Sequence, residues 1–489
     1  MTVVVCSTFF GQSAVADVTI QYNEYSGSPT IGRGNGTSTD PKNPGYGAMR
    51  IFIEKVMDYT DEHGPDALPI GQKVIFQRNQ SIGREVNALR AGVQFANKNA
   101  VRPDPTFSDP GWGFIYNSVP FGMNFEQTLG FLYDAKLDGF GGNGIGLAQA
   151  MLDSRGGTQI AFPVVGSTMQ GSGYFPQPIG KPNCNVGDTD CENRGNGIGL
   201  AGLCTSGWRI RYLSPPQDVV DRACDILVKR GVIPSKPLTF YPAVGGQSVL
   251  LPMQRRTIQG FEFVNPFDDH VDFFPVKNAT PTDPLGDPDA GNLNCSPALA
   301  FPIPPGTLTN CTQNIGQIGA RYAHHPSWHQ PFLLSWMHVD KAAWNSLNAA
   351  QKAAILRAAK DSVIESYNAA ESVQCKKLKD MLDFNDGISQ RNLDGTVRLE
   401  AGNPVSADIT MATWPEDALK VLLEARDDYL ASLAGPNNPS EKTDAQKDFS
   451  TIVKALTQYA ASAGATKFDP GKFPAKTGLV AGEECTLVK

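Results

Sequence analysis

No stretch of this chain approaches the roughly 20 consecutive apolar residues that a helix needs to cross a bilayer. Nor is there a basic surplus. The 42 Lys and Arg face 49 Asp and Glu, a net charge of −7, so little would release counterions from a phosphate backbone, and nucleic acid is excluded as an expected partner. Cysteine never occurs in the CxxC spacing of a zinc site. No Ser or Cys sits in a recognisable nucleophile elbow. The glycine-rich heptapeptide Gly142-Asn143-Gly144-Ile145-Gly146-Leu147-Ala148, repeated identically at 195–201, lacks the full GxGxxG spacing and the acidic residue downstream that dinucleotide binding requires. The expectation for both copies is a glycine-rich turn. The acidic runs at 188–192 and 283–289 lack EF-hand spacing and read as solvated surface loops.

What the sequence does contain is the make-up of a folded protein: 41% hydrophobic and 19% charged residues over 489 positions, enough for two or three domains. The apolar run Val3-Val4-Val5-Cys6 to Phe9-Phe10, closed by Ala14-Val15-Ala16, fits a leader over residues 1–16 and export to the periplasm. Of nine cysteines, Cys6 falls in that leader, and an even number remains, which suits an oxidising compartment. Cys184 with Cys191 and Cys295 with Cys311 bracket polar loops, and both pairs are expected disulfides. Cys204, Cys224, Cys375 and Cys485 cannot be paired from sequence; Cys224, in an apolar helical pattern, reads equally well as a buried thiol.

Hydrophobic periodicity gives strands at 18–22, 73–76 and 92–96 separated by helices at 49–60 and 82–90, a βαβαβ opening that predicts an α/β fold with parallel strands. A second α/β unit is expected to begin with the strand at 159–165 and to include the strand 208–212, the helix 217–230 and the strand 238–241. Residues 275–320 read as a long decorated loop. The strongest helical pattern runs from Asn348 to about Phe384, with Asn348 and Gln351 spaced as a capping box; about 50 Å long at 1.5 Å per residue, it is expected to brace two lobes. Further helices follow at 415–433 and 444–463.

Three segments, taken in order, resemble one family. They are Met169-Gln170-Gly171-Ser172-Gly173-Tyr174-Phe175 with Arg209-Ile210-Arg211, then Gly245-Gly246-Gln247 leading to Gly260-Phe261-Glu262-Phe263, then Pro326-Ser327-Trp328-His329-Gln330-Pro331 followed by Trp344 to Leu347. They are similar to motifs of the DctP-type periplasmic solute receptors of TRAP transporters, in the TakP-like branch that binds 2-oxo acids, lactate or chloroaromatic acids. The resemblance covers most of residues 45–460. It implies a two-lobed periplasmic-binding-protein-like fold of type II. Lobe I is expected over 17–157 and 264–346, lobe II over 158–263 and 347–465, with a tail over 466–489.

The resemblance also implies a site without catalysis. Arg211 matches the family's ligand-binding arginine, and a planar guanidinium can donate two parallel hydrogen bonds to a carboxylate. Gln170, Tyr174, Glu262, Phe263, Trp328 and Gln330 complete the expected ligand-binding set. In the branch a small cation, sodium or calcium, bridges ligand and protein through positions that match Gln170, Glu262, Phe263 and Gln330. Gln330 replaces a glutamate there, which removes a charge that a hard cation would use. Membrane subunits of a TRAP transporter are the implied partners. The cysteine-bearing inserts are left with three open roles: shielding the cleft, forming a homodimer or meeting the transporter. His324, His325 and His329 crowd one stretch with Trp328 and invite a metal or general-base reading, although the resemblance gives His329 a position that packs or that supports the ligand-contacting residues from behind. The alternative is a secreted hydrolase or lyase that uses Glu262 and these histidines.

Overall fold

A computed structural model of the protein describes residues 18–23, 48–60, 74–78, 95–99, 120–137, 142–154, 159–168, 171–184, 189–212, 216–242, 252–253, 255–262, 315–316, 319–325, 327–383, 399–400, 402–404 and 408–462. The chain opens with β1 (Val18–Asn23), α1 (Ala48–Thr60), β2 (Val74–Arg78) and β3 (Phe95–Asn99). The helix expected at 82–90 lies outside the described residues, and β3 begins three residues later than the expected strand. Next come α2 (Phe125–Leu129), which runs into a π-helical turn at Gly130–Asp134, and α3 (Gly144–Ser154). β4 (Gln159–Ser167), β5 (Tyr174–Phe175), β6 (Pro182–Asn183) and α4 (Thr189–Glu192) follow. Then come α5 (Gly199–Thr205), β7 (Arg209–Arg211), α6 (Pro216–Lys229), β8 (Thr239–Phe240) and β9 (Gly260–Phe261). The chain continues with β10 (Tyr322–His324), β11 (Leu333–Asp340), α7 (Lys341–Ser346) and α8 (Ala349–Asp383). A ribbon of β12 (Leu399–Glu400) and β13 (Asn403–Pro404), then β14 (Thr410–Ala412), α9 (Glu416–Ala434) and α10 (Asp444–Ser462), complete it.

The strands form two principal sheets, ordered β2-β1-β3-β11-β4 and β6-β14-β10-β5-β9-β7-β8. β1 runs parallel to both β2 and β3, as the βαβ opening requires. β11 is antiparallel to β3 and β4. Pro163, which has no N–H for a ladder, is tolerated because β4 is an edge strand, and the pairing with β11 shifts at Ser335/Trp336 opposite it. The lobe boundary drawn from sequence needs correction. β4, expected to open the second lobe, belongs to the first sheet; β10, expected in the first lobe, belongs to the second.

α8 carries the expected capping box: Gln351 N–H donates to Asn348 Oδ1 at 2.8 Å and Asn348 N–H to Gln351 Oε1 at 3.0 Å. The helix packs on β4 and α1, with Ile355, Ala358 and Ala359 in an apolar cluster with Phe52, Phe162, Val164 and Met337. Ser362 Oγ donates to Val164 O, and Gly166 N–H to Ser366 Oγ. Val363 joins a second cluster that continues through Phe125, Phe175, Ile210, Trp328 and Leu422, so one apolar core underlies both sheets. α6 and α9 pack together beside the second sheet.

Two disulfides hold this second half. Cys184–Cys191 forms as expected, and Cys224, which sequence left equally well as a free thiol, bonds Cys204 and ties α5 to α6. Cys295 and Cys311, with most of the 275–320 loop, lie outside the described residues. The two heptapeptide copies are not merely turns. Each leads into a helix, but the first starts one at its third residue, with Asn143 Oδ1 accepting from Gly146 N–H, and the second at its fifth, Gly199. Among the described residues no helix is long and apolar enough to cross a membrane.

Candidate functional site

The two sheets are joined at matching edges. β4 leaves the first sheet at its carboxyl end and continues through 168–173 into β5, while β10 leaves the second at its carboxyl end and returns through 325–332 to β11. Since β11 runs antiparallel to β3 and β4, its amino end lies at their carboxyl edge. By the same logic the amino end of β5 lies at the carboxyl edge of β9, β10 and β7. Both crossovers therefore connect carboxyl edge to carboxyl edge, the place where open α/β sheets bind ligands. The end of the first is also bonded to the last residue of β10, Ser172 N–H to His324 O at 2.7 Å and His324 N–H to Gly173 O at 2.9 Å.

Arg211 ends β7 at this edge, and Glu262 follows β9 beside it, with Glu262 N–H donating to Arg211 O at 2.9 Å. The Arg211 Nη1 donates to the Glu262 carbonyl oxygen and stands 3.4 Å from Glu262 Oε2. Both side chains are buried, 1% and 0% exposed. Strand register places Phe261 opposite Arg211 and Tyr174 opposite Phe261, which puts all three on one face of the sheet. The Tyr174 and Phe261 rings stack with centroids 5.2 Å apart. A fork-shaped cation flanked by an aromatic wall is suited to a small carboxylate with an apolar body.

Tyr212, directly after Arg211, donates its hydroxyl to Ser172 O. Burial first, and the Glu262 charge second, hold that hydroxyl protonated. The histidines fill the β10 end of the same edge. His324 Nδ1 faces Tyr322 O at 3.1 Å and Gly173 O at 3.3 Å, so it carries the proton, and Nε2 accepts from Ile179 N–H at 2.9 Å. Burial pushes His324 and His329 down to about 3 and His325 to about 4. Rings lowered this far are weak bases at neutral pH, and the first is engaged at both nitrogens, so they resemble packed polar groups more than a general base.

Of the residues expected from sequence, the structure brings Arg211, Tyr174 and Glu262 together and places Trp328 and Gln330 on the 325–332 crossover. Gln170 and Phe263 lie outside the described residues. Trp328 is turned into the core, 5.6 Å from Phe121 and 6.0 Å from Trp414 between ring centroids. Gln330 is buried, its N–H donating to Ser327 Oγ. Phe261, which cross-strand register places here, and Tyr212, placed by its hydroxyl bond to Ser172 O, were not among the residues expected from sequence.

For a bridging cation, the described donors are Glu262 and Gln330. Glu262 turns its carbonyl and Oε2 toward a guanidinium, and Gln330 brings no charge. No group of three or more His, Cys, Asp or Glu able to hold a metal occurs among the described residues. Glu262 and Gln330 are two of the four donors expected for a bridging cation; the other two, Gln170 and Phe263, lie outside the described residues.

Two sheets, joined carboxyl edge to carboxyl edge by the chain between β4 and β5 and between β10 and β11, define a two-lobed α/β architecture. Solved structures share it. A TRAP periplasmic solute-binding protein from Colwellia psychrerythraea, with bound calcium and pyruvate, aligns with 92% of this chain and 96% of its own at a TM-score of 0.56 and 13% identity. One from Bordetella bronchiseptica, a mixed-occupancy dimer with calcium and picolinate, aligns at a TM-score of 0.53 and 12% identity over 92% and 93% of the two chains. A third, from Pseudoalteromonas atlantica with sodium and pyruvate, aligns at 0.53 and 14% over 92% and 95%. No protein-family model and no curated protein sequence matches the chain. The likeness is one of fold.

Proposed function

We propose that this chain is an extracytoplasmic receptor of a TRAP-type transporter that clamps a small organic carboxylate, a 2-oxo, hydroxy or aromatic acid, between its two lobes. The observation that carries this reading is Arg211, a buried guanidinium at the carboxyl edge between the sheets, beside the stacked Tyr174 and Phe261. Hinge closure over the crossovers would exclude water and strengthen the ion pair with the ligand. The closed form is then what the membrane subunits recognise, in the periplasm. The fold neighbours support the class of ligand, since three of them hold pyruvate or picolinate. The site supports binding over turnover, because burial lowers its histidines to between about 3 and about 4, far below the value near the operating pH that suits a general base.

A panel of 2-oxo, hydroxy and aromatic acids tests the reading by thermal shift with parallel product analysis. At a ligand concentration 100 times Kd, the stabilisation expected is about 2.7 kcal/mol, with the acid recovered unchanged. Steady product formation would establish the enzyme alternative, and a panel without any stabilising acid would remove the receptor reading.

A further inference from the structure

One connection is strained where the two halves of the fold meet. Phe121 has a φ of 54°, a left-handed conformation that a bulky L side chain avoids, although a glycine stands beside it at 122. It is buried and lies in the chain between β3 and β4, both strands of the first sheet. What holds it comes from elsewhere. Its N–H donates to Trp328 O at 3.0 Å, in the middle of the 325–332 crossover, and its ring stacks on Trp328. On the other side Arg426 Nη1 donates to Pro120 O at 3.0 Å and to Phe121 O at 3.4 Å. Arg426 belongs to α9, which packs on α6 beside the second sheet, and Asp427 Oδ1 pairs with its Nε at 2.8 Å.

Four residues further on, Phe125 stacks on Tyr367 of α8 with centroids 3.7 Å apart and meets Phe332, at the end of the same crossover, edge-on at 5.9 Å. The turn is therefore clamped by the crossover, α9 and α8 together. Strain of this kind persists only where the surroundings over-determine it, and it gathers at ligand clamps and switch regions. The arrangement that strains Phe121 also shuts the site: Arg211 is 1% exposed, so a solute reaches it only after the lobes part. Parting them moves α9 and the crossover relative to the first-sheet connection. That motion breaks the Arg426 bonds and lets Phe121 return to an ordinary backbone conformation.

We propose that Pro120–Phe121 is a strained strap across the hinge, with Arg426 as its positioning residue. The turn is left-handed only when the lobes are shut, so its strain holds the empty receptor open and leaves closure to the ligand. This rests on the hinge closure proposed above and adds a spring that opposes it. A closed state held down in population lowers the apparent affinity in proportion. Relieving the strain therefore tightens binding without touching the ligand.

Two substitutions at one position test this on the full chain. Phe121→Ala keeps the strain and loses the ring, whereas Phe121→Gly loses both, so the difference between them isolates the backbone. In titration calorimetry with pyruvate, Phe121→Gly is expected to bind about fivefold tighter than Phe121→Ala. Small-angle X-ray scattering on the empty proteins should give Phe121→Gly the smaller radius of gyration. A conformation strained alike in open and shut states would change only the unfolding midpoint, so equal affinities or equal radii would overturn the proposal. Arg426→Met, which leaves Phe121 in place, should weaken pyruvate by about fivefold and enlarge the empty protein. Should the Phe121 variants not fold, an Arg426→Met protein with the wild-type affinity and radius overturns the strap. A wild type that binds neither pyruvate nor any other acid of the panel removes the carboxylate reading, and the scattering comparison still decides the strap.

Discussion

Arg211 meets a carboxylate before any ligand arrives, because Glu262 already turns its side chain and carbonyl toward Nη1. Removing one partner of such a buried pair strands the other, at a cost of about 3–5 kcal/mol. Arg211→Ala is therefore expected to lower the unfolding midpoint as well as to abolish acid binding. Arg211→Lys keeps the charge but loses the fork, and should retain most of the stability while weakening the acid by tenfold or so; denaturant titration and calorimetry on the two variants separate these effects. A stable Arg211→Ala protein with unchanged affinity would take Arg211 out of the site. Arg211, Tyr174 and Glu262 could be proposed for the site from sequence because they sit inside short motifs. Phe261 could not, although it lies within the same Gly260-Phe261-Glu262 segment, because its role comes from facing Arg211 and Tyr174 across strands. The pairing of Cys204 with Cys224 was hidden for a similar reason, since it depends on how α5 packs on α6.

At the scale of elements, the local signals were read well and the non-local ones poorly. The capping box of α8 is written in two residues and forms as the spacing predicts. Asn348→Ala should cost about 1 kcal/mol, measurable as a lower denaturation midpoint with an unchanged slope. The sheet to which a strand belongs is not a local property. β4 is an apolar run that would suit either sheet, and only its pairing with β11 assigns it. Its contact with α8 is close: a Cβ on Gly166 would lie 2.5 Å from the Val363 carbonyl oxygen. Gly166→Ala should therefore push strand and helix apart and destabilise by about 1–3 kcal/mol, whereas a neutral outcome would mean that the interface yields easily.

For the whole molecule, the buried histidines couple stability to acid. His324, His325 and His329 have an ordinary value of 6.5 and are lowered by burial to between about 3 and about 4 in the folded protein. The unfolded chain binds their protons first. Their contribution to stability is thus complete above about pH 6.5 and is lost as pH falls toward 4 and below, each histidine steepening the decline by up to about 1.4 kcal/mol per pH unit. Unfolding midpoints recorded from pH 7.5 to 4.5 should fall steadily, and a flat profile would mean that the three rings are not held neutral. The two-lobed arrangement itself was legible only through the order of three motifs, while the crossovers that build the site appear once strand directions are known. The most direct test of a carboxylate held at that junction is a crystal structure with a bound 2-oxo acid. The expected result is the carboxylate paired with the Arg211 guanidinium, between the carboxyl edges of the two sheets and against Tyr174. An acid bound away from Arg211, or on the outer surface of either lobe, would contradict it.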